Sequence, residues 1–285
     1  MFRIVDGIAF EGKQSDSRFQ VTVTDFLNGH REVVVQKAVD WQERGPVHPE
    51  AQPATEEELL ERREANERRA CRRATKVIRH RAKSQSLDTL LTLTYRANQT
   101  DRALCRLHLK LFLERMRALY RRLGLEFVYV GCFEQQARGA WHVHLGVQRI
   151  PRVLPGVDGV LVKSWNVIRA VWRRVVGEYG GNIDAGRWKF TAKKSPAKCA
   201  AYISKYVGKA FAEGEDYSKR YVWSKCEPPE RTSFEVDGDE LARLIAGAVE
   251  FCCESGRVLA SSWFSRFGDV YYCAGESPPA TRAGG

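Results

Sequence analysis

Two histidines separated by one residue, His142-Val143-His144, sit inside the run AWHVHLGVQ, where apolar residues alternate in strand fashion. Successive side chains of a strand point to opposite faces. Both imidazoles therefore project from one face, while Trp141, Val143 and Leu145 take the other. Taken alone, such a pair also describes two hydrogen-bonded rings in a half-buried sheet. Glu134 lies eight residues upstream, and the intervening QQARG reads as a turn around Arg138-Gly139. That turn sets Glu134 roughly opposite His142, and cross-strand partners share a face with Cβ atoms about 4.5–5.5 Å apart. Two imidazoles and one carboxylate on a common face can hold a divalent cation and leave positions open for substrate. The same ligand set describes an iron(II) oxygenase site. That site is expected on a many-stranded jelly roll, whereas long amphipathic helices follow these histidines.

A third group lies some sixty positions further on, in AAYISKYVGK. In a helix Tyr202 and Tyr206 are one turn apart and share a face. Lys198, Lys205 and Lys209 fall near the same stripe, while Ile203, Val207 and Phe211 form a different side that can pack on a sheet. A tyrosine-rich helix can simply cover core. Lysines interleaved with the rings argue against that, because lysine is seldom buried unless paired. A phenol flanked by ammonium groups is suited to meet a phosphate.

Ordered elements must carry these groups. Thr89–Tyr95 (TLLTLTY) reads as a β-branched, apolar strand. Residues 101–124 place Leu104, Leu107, Leu111, Met116, Leu119 and Leu123 at helical spacing and end at a glycine. LEFVYVGCFE and AWHVHLGVQ are the next two strands. A helix over 160–178 follows, then a short strand in NIDAGRWKF and a helix over 195–212. The order β-α-β-β-α-β predicts an α+β, ferredoxin-like antiparallel sheet with helices on one face, over residues 85–225. Residues 1–84 read as an accessory region with a hairpin over 18–37 turning at Asn28-Gly29. A polar loop containing Pro46, Pro49 and Pro53 follows, and then a basic helix over 55–83. Residues 226–285 read as a helix from 239 to 253, an aromatic patch at 263–272 expected to pack in a small core, and a Pro/Gly tail.

Composition narrows the partners. The 285 residues are 44% hydrophobic and 28% charged, which excludes wholesale disorder, and no apolar run is long enough to span a membrane. The N-terminal segment MFRIVDGIAFEGKQ does not read as a secretion signal, so a cytoplasmic location in a bacterial host is expected. The 46 Lys and Arg outnumber 35 Asp and Glu, a net +11, which suits a polyanionic partner. Residues 62–83 hold ten Lys/Arg and two Glu, so this one segment supplies +8 of that excess. Arg68, Arg69, Arg72, Arg73 and Lys76 within it are expected to track phosphates, together with Lys198 and Lys209. The eight cysteines form no C-x-x-C pair and read as reduced thiols. A zinc site from Cys226, Cys252, Cys253 and Cys273 has no support in their spacing.

EQQARGAWHVHLGV, YISKYVGK and TLLTLTY together resemble the signatures of HUH-type endonucleases, the rolling-circle replication initiators of small phages and some plasmids. The resemblance covers residues 85 to about 225, with the three motifs in the expected order. It implies that Glu134, His142 and His144 ligate Mg²⁺ or Mn²⁺ and that Tyr202 is the nucleophile. Tyr206 matches the second tyrosine of two-tyrosine initiators, and Lys205 the lysine of the family's Y-x-x-K. It further implies nicking of single-stranded DNA at a replication origin through a 5′-phosphotyrosyl intermediate, a 3′-OH that primes synthesis, and later rejoining. No G-x-x-x-x-G-K-[ST] motif is present, so a host helicase and polymerase are expected partners. A relaxase or transposase of the same superfamily, and a non-catalytic nucleic-acid-binding protein, are the alternatives.

Overall fold

The computed structural model describes residues 1–46, 55–156, 158–184, 196–213, 221–238 and 240–277. Pro49, Pro53, the end of the strand read in NIDAGRWKF, the side chain of Phe211 and the C-terminal tail lie outside them. In chain order the elements are β1 (Phe2–Val5), β2 (Ile8–Asp25), β3 (Arg31–Pro46), α1 (Glu56–Ser84), β4 (Thr89–Tyr95), α2 (Arg102–Arg122), β5 (Tyr129–Gln135) and β6 (Trp141–Val147). There follow β7 (Val153–Pro155), β8 (Leu161–Lys163), α3 (Ser164–Val176), β9 (Gly181–Asp184), α4 (Pro196–Glu213), β10 (Tyr221–Trp223), β11 (Glu230–Asp237), α5 (Leu241–Cys253), β12 (Val258–Phe264) and β13 (Val270–Glu276). The architecture is mixed α+β with antiparallel sheets. The chain divides into two compact units, residues 1–64 with 229–285, and residues 65–228.

In the first unit, the two flanking segments of the sequence share one sheet, ordered β1-β2-β3-β13-β12, with β11 also paired to β2. The hairpin read over 18–37 runs from Ile8 to Pro46, turning at Gly29 with φ +82°. Only glycine takes that conformation without strain. Helix α5 lays Ala248 and Cys252 on Val21, Val33, Val35 and Cys273. The aromatic patch divides. Tyr271 and Tyr272 are buried, whereas Trp263 and Phe267 are 51% and 88% exposed. Trp263 sits on β12, an edge strand exposed along its whole length, so the core expected for the patch forms only at the next strand inward.

In the second unit, a five-stranded sheet runs β10-β5-β6-β4-β9, and every neighbouring pair is antiparallel. Asp101 starts α2 by accepting a hydrogen bond from the Leu104 backbone N–H at 3.1 Å. Helices α2 and α3 bring Phe112, Met116, Ile168 and Trp172 onto Leu91, Leu93, Val143 and Leu145. The opposite face is covered too, by Ala74, Ile78 and Ala82 of α1 and by Cys199, Ile203 and Val207 of α4 against Val130 and Cys132. Helices therefore lie on both faces, not on one as the sequence suggested. The physical reason shows in β5, where Tyr129 to Glu134 are all buried: such a strand needs cover on each side. A second correction concerns residues 160–178, read as one helix. β8 pairs with β7 first, closed by Gly159 at φ +80°, and α3 starts only at Ser164.

Candidate active site

The β5–β6 hairpin fixes the relative placement of the first three groups. Its ladder pairs Glu134 with His142 and Cys132 with His144, so all four side chains face α4. Gly139, at φ +83°, closes the turn, with its N–H donating to the Gln136 carbonyl at 2.7 Å. A β-strand cannot hold ring orientation by itself, and here two further side chains do so. The hydroxyl of Thr92 on β4, paired in register with His144, lies 3.2 Å from His144 Nδ1. The Gln136 amide nitrogen lies 3.1 Å from His142 Nδ1, and its Oε1 accepts from Arg138 Nε at 3.1 Å.

Glu134 is 8% and His144 6% exposed, so neither can rely on water for partners. His144 Nε2 lies 2.7 Å from Glu134 Oε2, and Lys209 Nζ donates to Glu134 Oε1 at 2.6 Å. Burial acts to raise the Glu134 carboxyl pKa, but the bonds from Lys209 and His144 outweigh it and hold the group below its ordinary range. Burial pushes both imidazoles below their usual value; for His142 the neighbouring His144 adds to the effect, while for His144 the Glu134 carboxylate opposes it. Both rings are thus neutral near pH 7, the form that binds metals.

Helix α4 presses on this face because β6 has a glycine there. A Cβ on Gly146 would come within 3.1 Å of Cys199 Sγ and 3.5 Å of Ile203 Cγ1. With Gly146 bare, the Tyr206 ring stacks on the His144 ring at 3.8 Å between centroids and 18° between planes. The Tyr202 and Tyr206 hydroxyls are 2.8 Å apart, and Tyr202 is 39% exposed. Burial, and then the bond to Tyr202, push the Tyr206 phenol pKa up.

Glu134, His144, Tyr206, Tyr202 and Lys209 therefore form one continuous set of contacts, with His142 beside Glu134 on the same face. Lys205 is exposed and makes no hydrogen bond or ion pair with them among the described residues. Lys198 is exposed at the first turn of α4, and Arg68, Arg69, Arg72, Arg73 and Lys76 are exposed along α1. Lys209, expected on phosphates, is paired with the carboxylate. Thr92, Gln136 and Gly146 were not singled out in the sequence. The alternation of threonines in TLLTLTY held the signal for Thr92, whereas nothing in QQARG separates a turn residue from a ring-orienting one.

No three His, Cys, Asp or Glu side chains close into a metal cluster among the described residues. The donor set nevertheless fits a divalent cation: a carboxylate, two neutral imidazoles, and at His142 Nε2 a buried polar atom without a hydrogen-bond partner. The four thiols weighed for zinc do not meet either; Cys226 belongs to one unit and Cys252, Cys253 and Cys273 to the other.

No curated protein and no solved structure matches the chain. Residues 88–211, which are 124 of its 285 residues and run from the start of β4 into α4, are similar to the family described as replication-associated proteins of the ORF2 type, a likeness that carries all of the site residues above and agrees with a part in DNA replication.

Proposed function

We propose that this chain initiates replication by nicking single-stranded DNA at an origin and later rejoining it, on a ferredoxin-like domain of the HUH endonuclease type. The observation that carries the reading is the unbroken set of contacts from Tyr202 through Tyr206 and His144 to Glu134. The family likeness over residues 88–211 supports it.

Tyr202 is the nucleophile because its hydroxyl is the reachable one, while the Tyr206 ring is laid against His144. Its oxygen attacks the scissile phosphorus, the P–O3′ bond breaks, and the leaving 3′-oxygen takes up a proton. The products are a 5′-phosphotyrosyl ester and a 3′-OH that primes synthesis; attack of a 3′-OH on the ester reverses the step and returns the tyrosine. Tyr206, kept as a neutral phenol, donates its proton in a hydrogen bond to the Tyr202 oxygen and steadies the charge developing there. Once Tyr202 is esterified, Tyr206 is the second nucleophile for the regenerated junction. Glu134, His142 and His144 would hold Mg²⁺ or Mn²⁺, which when bound supplies positive charge to the non-bridging phosphate oxygens. Lys205, exposed one turn along from Tyr202, faces the incoming phosphate. A host helicase and polymerase complete the cycle.

Incubation with single-stranded origin DNA and Mn²⁺ should give a covalent adduct on a denaturing gel, mapped to Tyr202 and abolished by EDTA or Tyr202→Phe. Tight binding without an adduct under these conditions would leave a binding protein and remove the nuclease reading.

A further inference from the structure

A buried carboxylate needs a counter-charge. Each Glu134 oxygen has one partner: Oε2 has His144 Nε2, and Oε1 has the Lys209 ammonium at 2.6 Å. The lysine approaches from α4, three residues beyond Tyr206, and its side chain is 48% exposed while that of Glu134 is 10% exposed. The ammonium thus reaches inward from solvent to a carboxylate that cannot leave, and its path outward is open. An ammonium and a divalent cation cannot share one carboxylate oxygen, because two positive charges at contact distance repel by several kcal/mol wherever water is scarce.

Resting on the metal reading above, we infer that Lys209 is a built-in competitor for the cation position: it neutralises Glu134 when the site is empty and is released when a divalent ion binds. Two consequences follow from the geometry. Metal affinity is held down by the pairing that must be broken. The expelled ammonium, tethered one turn from Tyr206, becomes available to a DNA phosphate only in the loaded site. Metal and DNA binding are then linked, and by reciprocity each tightens the other by the same factor. Lys209 is a positioning residue in this scheme, acting through Glu134.

Mn²⁺ binding to the full chain, without DNA, can be read from the loss of the free-ion paramagnetic resonance signal. Lys209→Met keeps the stem and removes the charge, so its dissociation constant for Mn²⁺ should fall about five- to tenfold, the scale of one charge-assisted hydrogen bond at a half-exposed site. Lys209→Arg, which can keep the pair, should stay within about twofold of the parent. In a Tyr202→Phe, Tyr206→Phe background that cannot form the adduct, Mn²⁺ should tighten binding of a single-stranded oligonucleotide, and Lys209→Met should shrink that factor. Lys209→Gln provides the same readouts if the Met variant does not fold. Unchanged or weaker Mn²⁺ binding in the neutral variants overturns the inference. If the parent's Mn²⁺ binding depends on Glu134, tested by Glu134→Gln, that failure is the inference's alone. If the parent binds no Mn²⁺ at all, the metal reading has failed and the competitor role falls with it.

Discussion

His144 is held between two oxygens, and a neutral ring has only one proton to give. With Nε2–H donated to Glu134, Nδ1 must accept from the Thr92 hydroxyl. Holding a cation through Nε2 reverses this, with Nδ1–H donating to Thr92 Oγ1, and a hydroxyl can serve in either direction by rotating. Thr92→Val keeps the shape and removes that acceptor, so Mn²⁺ affinity should fall about tenfold while the melting temperature of the metal-free protein changes little; calorimetric titration checks it. The same rings set a pH response. Both imidazoles titrate below their ordinary 6.5 in the folded chain. Below that pH the unfolded chain binds more protons than the folded one, so stability is complete above about 6.5 and is lost as pH falls further. Glu134, also shifted down, adds to the loss below about pH 4.3, the usual carboxylate value. Melting temperatures of the metal-free chain should therefore decline between pH 7 and pH 5, and a His142→Gln, His144→Gln double variant should show a flatter profile.

At the scale of elements, the decisive contact is α4 on β6. Gly146→Val places a side chain where Cys199 and Ile203 pack, so the helix must lift from the sheet. The ligands on β5 and β6 keep their register, but Tyr206 loses its seat on His144. Adduct formation should then drop by at least tenfold while Mn²⁺ binding stays within a few-fold, measured on the same preparation. This division matches what could be read from the residues. The register of Glu134 against His142 was legible because strand alternation and a glycine turn are local and have only two outcomes, in or out. The tyrosine stripe was legible for the same reason. Which sheet face a helix covers is not local: the apolar stripe of α2 and that of α4 look alike in sequence and pack on opposite faces. The glycine that admits α4 gives no signal either, since its role depends on residues more than fifty positions away. In α1, Ala74, Ile78 and Ala82 form a narrow buried stripe that ten cations hide in the sequence.

For the molecule as a whole, the excess of +11 is the property a DNA partner would feel first, and it is concentrated rather than spread. With Ala74, Ile78 and Ala82 turned into the second unit's core, Arg68, Arg69, Arg72, Arg73 and Lys76 are left on the solvent side of α1. Long cationic side chains on a helix face reach backbone phosphates without reading bases, and each phosphate neutralised releases condensed counterions. The contribution per contact to the slope of log affinity against log salt is about 0.7 for a single strand and about 0.9 for duplex. Changing Arg68, Arg69, Arg72 and Arg73 to Gln should thus flatten the slope by about 3, weaken binding alike for origin and unrelated sequences, and leave adduct formation intact at low salt, where the lost attraction can be offset by protein concentration. Fluorescence anisotropy across a salt series reads the slope directly. An unchanged slope would mean that the basic face of α1 does not meet DNA and that the chain's attraction for it arises elsewhere.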